Sequence, residues 1–531
     1  MKTRLRIFAG CLLITGLLAA GCAADSTKDT GVSQKKVLRY VNYGEKAIEE
    51  IDPLHLGTSA EHTLACYLVE GLMRVYQYEL RYGMADSYEI SKDGCTYIFH
   101  LREDAYYSDG TRVYAEDFVR AFRRLLQKEN YNTRAAVIKN AEEIYRGNMD
   151  IEELGVTALD EQTLQIELER PMAQFLQILA LRAFSPMRED AGDTLRPEDC
   201  NGPFVLEKSA RDNVFRMVKN PYYWEKDYIS LDAVEAVYLP DTKTAYEQFL
   251  EGNVDVMPIP IDGGDEYKAG EQRRVMTGIY ENLYLDLETP GPLQCKPLRQ
   301  ALNYALDREA YKKALDSDAI EPNARCIPAV GLGICQTYVE AYPDTLFSVT
   351  GDLQLAKEYL QQAMEALKIS KPEDIEIIIN INDDWWSRKE AAELERQWEK
   401  KLGIQITVKA FEIPELYENE KNGGMTLKGV IAEYSDLMAY LEPWGYDYAY
   451  GTQGNRSDEF QKYLAEANLQ SDQQIRMNTL FKAEKILIED APMIPLQLRA
   501  ERLLLNPELT GFETSMNLAG GGYEFLYADF E

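Results

Sequence analysis

The sequence predicts an α/β protein of two or three domains, and three observations carry that expectation. Residues 233–259 spell a compact β–α–β unit. From Pro297 onward, amphipathic helices alternate with apolar strands. The chain has 531 residues, 45% of them hydrophobic, more than one small core uses. Charged residues make up 27%, and neither a long low-complexity tract nor a repeat at solenoid or propeller spacing is present, which excludes global disorder and repeat architectures.

The N-terminus is of another kind. Lys2, Arg4 and Arg6 form a basic leader, followed by an apolar run from Ile7 to Ala20. That run is too short to span a bilayer comfortably and fits a secretory signal. It ends in LAAGC, which resembles a bacterial lipobox, with Ala19 where leucine is commoner. In such a motif Cys22 becomes the lipidated first residue of the mature chain. Residues 1–22 are therefore read as signal peptide and lipobox, and 23–36, small and polar, as a flexible tether. No later run is long and apolar enough to be a membrane helix.

The folded part is expected to begin with a strand at Val37–Asn42. Leu64, Leu68 and Leu72 are spaced as on one buried helix. Tyr97, Phe99 and Leu101 alternate with Ile98, His100 and Arg102, as in a half-buried strand. Asp109-Gly110 supplies a tight hairpin turn. Glu116 and Asp117 suit a helix's first turn, with Phe118, Phe122, Leu125 and Leu126 as its apolar stripe. GVTALDEQTLQIELERP reads as two short strands, and NVFRMVK as another, stopped by Asn220-Pro221. In the β–α–β unit, Asp241 caps the helix and Gly252 ends it. ENLYLDLE is a strand. Leu298, Leu302, Ala305 and Leu306 share one helical face after Pro297, and DLQLAKEYLQQAMEAL is a second amphipathic helix. IEIIINI is a strand buried on both faces, followed by the helix SRKEAAELERQWEKKLG and the strand IQITVKAF. MIPLQLRAERLLL is strand-like, but Pro492 and Pro495 suggest a chain passing between lobes rather than a central strand.

Composition excludes several functions. The net charge is −32, which leaves no basic face for nucleic acid. Three histidines, none at metal-ligand spacing, give no support for a metal site, and no CxxC, P-loop, GxGxxG or GxSxG occurs. No cofactor is implied and nothing points to an enzyme. Eight cysteines are present. Cys326 and Cys335 flank the Pro/Gly-rich loop CIPAVGLGIC and are the expected disulfide.

One stretch is more specific. Residues 85–118, ADSYEISKDGCTYIFHLREDAYYSDGTRVYAEDF, closely resemble the signature of the oligopeptide/dipeptide-binding family of ABC-importer solute-binding proteins. Tyr107 stands where tryptophan is usual and Cys95 where lysine is common. Further landmarks follow in family order: IDPLH, LVEGL, NGPFVLE with KNPYYW, LRQALNYALDREAY and APMIPLQ.

The resemblance implies a type II periplasmic-binding-protein fold, with two α/β lobes joined by crossover strands and an extra domain inserted in the first lobe. On this basis lobe I takes residues 37–69, 200–287 and 497–531, the inserted domain 70–199, and lobe II 288–496. The crossings are ENLYLDLE outward and MIPLQLRA back. A peptide would lie between the lobes, held by its main chain and by an acidic residue on its α-ammonium. The family's amine anchor is the aspartate of a GW.ADY run. The matching segment is GVIAEYSD, which puts Glu433 at the aspartate and Val430 at the tryptophan, with Asp436 in reserve. Trp385 and Trp386, in a loop that faces the cleft in the family, and Trp444 are candidate ligand-lining rings. The implied partners are the transmembrane permease subunits of an ABC importer and the membrane through lipid on Cys22. The protein is expected to be a monomer on the outer face of the cytoplasmic membrane. An oligosaccharide or other small solute as ligand, or a peptide-sensing receptor role, remain the alternatives.

Overall fold

The computed structural model describes residues 35–76, 79–260, 266–328, 338–343, 347–445, 457–470, 472–515 and 522–531. Cys22 and Cys335 lie outside them. One eleven-stranded sheet runs through the body. Its order is Gln405–Phe411, Glu376–Asn382, Met425–Val430, Glu271–Leu285, Met493–Leu505, Val256–Ile259, Val37–Tyr43, Ala233–Leu239, Val214–Lys219 and Phe204–Glu207, with Ile320–Pro322 paired beside Met493–Leu505.

The first lobe is built on the predicted β–α–β unit. Ala233–Leu239 is buried along its whole length, as a strand covered on both faces must be. It runs parallel to Val37–Tyr43, with Tyr40 opposite Ala236. The Asp241 carboxylate accepts the Thr244 N–H at 2.7 Å and starts helix Thr242–Leu250. Gly252 follows the helix end at φ 73°.

The second lobe repeats this logic. Glu376–Asn382 and Gln405–Phe411 are parallel neighbours, with Ile379 opposite Val408. Helix Trp385–Leu402 joins them, capped by Asp384, which accepts the Ser387 N–H at 2.8 Å, and closed by Gly403 at φ 75°. Its Trp398 is fully buried among Leu283, Ile379 and Ile494, and donates its indole N–H to the Leu302 carbonyl at 2.8 Å.

A separate four-stranded antiparallel sheet orders Ala85–Ile90, Thr96–Leu101, Thr163–Glu167 and Val156–Ala158. Tyr97, Phe99 and Leu101 point into its core, as their alternation predicts. Helix Ala115–Arg124 starts where the Asp117 carboxylate accepts the Tyr114 N–H at 2.9 Å, and it buries Phe118 and Phe122. The turn at Asp109-Gly110 forms, with Gly110 at φ 84°. It closes only the single bridge Tyr106–Arg112, not a hairpin ladder. The Ser108 N–H goes instead to the Cys200 carbonyl at 2.8 Å, which draws the loop away.

Two further expectations are corrected. The helix carrying Leu64 and Leu68 spans Ser59–Leu68 and stops before Leu72. Asn201 clasps both backbone groups of Glu70, at 3.0 and 2.8 Å. Gly71 then packs so tightly that a Cβ would lie 2.8 Å from the Leu179 carbonyl. The chain turns into strand Met73–Tyr76. The second correction concerns Pro495, whose strand, Met493–Leu505, does cross between the lobes but sits in the middle of the sheet. The register slips by one residue where Glu281 faces Gln497 and Asn282 faces Pro495. This irregularity accommodates a residue that has no N–H to give the ladder.

Candidate functional site

The site is organised by the two strands that carry the chain between lobes. Residues 271–276 pair with 500–505 on the first-lobe side. Residues 280–284 pair with 493–498, and residues 280–285 pair on their other edge with Met425–Val430. Between these halves Thr277, Gly278 and Ile279 together oppose Arg499. Gly278 adopts φ 79°, and the Thr277 hydroxyl donates to the Arg499 carbonyl at 3.1 Å. Such a bulge bends its strand and concentrates twist. Gly278→Ala should therefore destabilise the protein by about 1–2 kcal/mol, the cost of a Cβ in left-handed backbone. A urea midpoint unchanged from wild type would contradict this.

Just beyond the bulge a buried polar cluster stiffens the crossing. The Gln497 amide donates to both Glu281 and Glu390, and Arg499 pairs with Glu281. Burial, and after it the charge of Glu281, pushes the Glu390 carboxyl well above the usual carboxylate range.

Two cavities open nearby, and the second is lined by the crossing strands themselves. The larger, about 330 Å³, is walled by Leu54, Leu56, His62, Cys66, residues 177 and 180–183, and the segment 431–435. Burial lowers the basicity of His62 and raises the pKa of the Cys66 thiol. Arg182 donates to the Val69 and Ala180 carbonyls at 3.1 and 2.7 Å. The second cavity, about 260 Å³, lies against the crossing strands and is walled by Tyr43, Thr63, Val275, Thr277, Glu501 and Tyr523. Ile431 lines both.

Glu433 lines the larger cavity. Arg134, from the 3₁₀ turn Thr133–Val137, reaches across and pairs with it through Nη2 at 2.5 Å and Nε at 3.0 Å. The same guanidinium pairs with Glu442 and lies over the Tyr434 ring, 5.0 Å from its centroid. Burial alone would make Arg134 less basic, but Glu442, Tyr434 and Glu433 outweigh it and push its pKa up. Burial raises the pKa of Glu442 in spite of Arg134.

The other predicted residues sit elsewhere. Asp436 is buried and accepts two hydrogen bonds from Arg476, at 2.6 and 2.8 Å. Trp385 is 55% exposed at the helix start, and Trp386 is buried in the second-lobe core. Trp444 is buried and stacks on Tyr284, with centroids 5.6 Å apart. None of these four lines either cavity. Cys326 is buried, and the pairing expected with Cys335 falls outside the described residues. Sequence reasoning did not single out Arg134 or Glu501. Arg134 carries no local signal, because its partners are about 300 positions away. Glu501 carried a weak one: a lone acid within a long apolar strand.

Comparison with known proteins agrees with this architecture. The family model "Bacterial extracellular solute-binding proteins, family 5 Middle" matches residues 79–452. An oligopeptide-binding protein of Bacillus subtilis (strain 168) is 27% identical over 540 residues, covering 96% of this chain and 97% of that one. A probable deoxycholate-binding periplasmic protein of Escherichia coli (strain K12) is 28% identical, covering 92% and 93%. The solved structure of a peptide-bound oligopeptide-binding protein of Listeria monocytogenes matches with a TM-score of 0.72 at 22% identity, over 94% of this chain and 99% of that one.

Proposed function

The chain belongs to the bacterial extracellular solute-binding proteins of family 5, and from that premise we propose that it captures oligopeptides between its lobes and delivers them to the permease of an ABC importer. The observation that carries this reading is Glu433. It occupies the position that the resemblance gives to the amine-binding aspartate, and it is the one carboxylate, among the described residues, lining a cavity whose other walls mix leucine and alanine side chains with His62, Gln177, Arg134 and Arg182. A peptide's α-ammonium in such a place needs a carboxylate, since burying that charge unpaired is costly.

In the present structure the charge on Glu433 is met by Arg134. Binding is then an exchange, in which the ligand's ammonium takes the place of the guanidinium. Peptide main chain pairs with exposed backbone around residue 431, and water fills the side-chain pockets. The lobes close on the ligand by bending at the crossing strands, and the permease reads the closed state. The lipid on Cys22 holds a monomeric receptor to the outer face of the membrane. No helix among the described residues is long and apolar enough to cross one.

Isothermal calorimetry on the purified chain tests the reading. Glu433→Gln should weaken peptides with a free N-terminus about tenfold, the worth of one charge-assisted hydrogen bond, and leave N-acetylated peptides nearly unaffected. Equal losses for both would remove Glu433 from the anchor role.

A further inference from the structure

The cavity beside the crossing strands holds a carboxylate that meets no cation among the described residues. Glu501 stands opposite Val275 on the return strand. Its described hydrogen bond comes from the Tyr523 hydroxyl at 3.4 Å, and it forms no salt bridge among the described residues. Its neighbours around the cleft differ. Glu433 and Glu442 share Arg134, Asp436 holds Arg476, and Glu281 holds Arg499.

The groups facing Glu501 are phenols. Tyr523 approaches from strand Gly522–Glu524 and Tyr43 from the end of Val37–Tyr43. Tyr40 adjoins Tyr523, and Tyr267 and Asp241 adjoin Tyr43. Burial raises both facing phenols, Tyr43 to about 12, so they stay neutral. Burial likewise lifts Glu501 to about 7, against the pull of the Tyr523 hydrogen bond. A carboxylate partly withdrawn from water this way is stabilised by protonation or by an arriving cation.

We propose that Glu501 is a cation subsite of the cleft, separate from Glu433, that takes the side-chain ammonium of a lysine in the bound peptide. The cavity's remaining walls suit this: Thr63 and the phenols offer hydroxyl acceptors, and Ile431, Val275 and Tyr43 offer apolar surface for a lysine's methylenes. The inference rests on the peptide-binding reading and adds the substrate's charge to it.

The test uses four peptides on the full chain: a lysine peptide and its norleucine counterpart, each with a free or acetylated N-terminus. At pH 8 the wild type should prefer the lysine peptide to its norleucine counterpart by about tenfold or more, whether or not the N-terminus is acetylated. Glu501→Gln should abolish that preference and Glu501→Asp should retain part of it. The free-terminus preference, which Glu433 supplies, should stay unchanged in both variants. In the wild type the lysine preference should fade as pH falls through about 7, where Glu501 takes up its proton. That measurement needs no variant to fold. Peptide binding without a lysine preference, or a lysine preference that Glu501→Gln leaves intact, overturns the assignment while peptide capture stands. If no peptide binds at all, the peptide reading and this inference both fall.

Discussion

Asp436→Ala is expected to lower stability by about 3–5 kcal/mol, the cost of leaving one member of a buried ion pair without its partner. Asp436 and Arg476 are each under a tenth exposed, and two hydrogen bonds join them. Burial alone would make Arg476 less basic; Asp436 outweighs that and holds it charged. With the aspartate gone, the guanidinium keeps, among the described residues, one long hydrogen-bond contact to Gln174 at 3.5 Å and the charge of Glu442 beyond ion-pair distance. The double variant Asp436→Ala, Arg476→Met should recover much of the loss, because an apolar side chain of similar length needs no counter-charge. Urea unfolding of both variants settles this. A single variant within about 1 kcal/mol of wild type would mean that water reaches the pair.

Arg134→Met is expected to open the lobes in the absence of ligand and to destabilise the protein at neutral pH by a similar few kcal/mol. The two carboxylates contribute unequally. Glu433 is about half exposed, so its pair with Arg134 contributes less than about 1 kcal/mol. Glu442 is largely buried and loses the guanidinium it is paired with. Its native pKa is already raised by burial, so the native state holds its proton to higher pH than the unfolded chain does. Stability from this group is therefore greatest at low pH and declines as pH rises above the ordinary carboxylate range near 4.3. The gap between variant and wild type should narrow from pH 7.5 to pH 5. Small-angle scattering should show a larger radius of gyration for the unliganded variant. An unchanged radius would mean that contacts such as the 3.1 Å Ala173 N–H to Asn468 carbonyl bond suffice to hold the lobes.

Much of the scaffold was legible because local chemistry and tertiary context agree there. Asp241 and Asp384 cap the helices that follow strands, and the period-2 burial of Tyr97, Phe99 and Leu101 is the one their order predicts. The reading failed where a distant residue decides. Asn201 ends the first helix from 131 positions away. Pro495 argued against a central strand, but a one-residue slip in the ladder accommodates it.

The cleft was legible only in part. Glu433 was found through a resemblance. Arg134 was not found, since a cross-lobe contact has no local spelling. Trp385 and Trp386 show why adjacency on a helix start is ambiguous: consecutive side chains diverge, and one faces water while the other joins the core.

The single sheet threading both halves has a mechanical consequence. Two adjacent, hydrogen-bonded ribbons resist sliding and in-plane rotation, because either would tear ladder bonds, but they flex easily out of plane at an irregular spot such as Thr277–Ile279. The jaw therefore swings about one axis. A downstream reader does not need to survey the whole surface; it can gauge occupancy from a single angle.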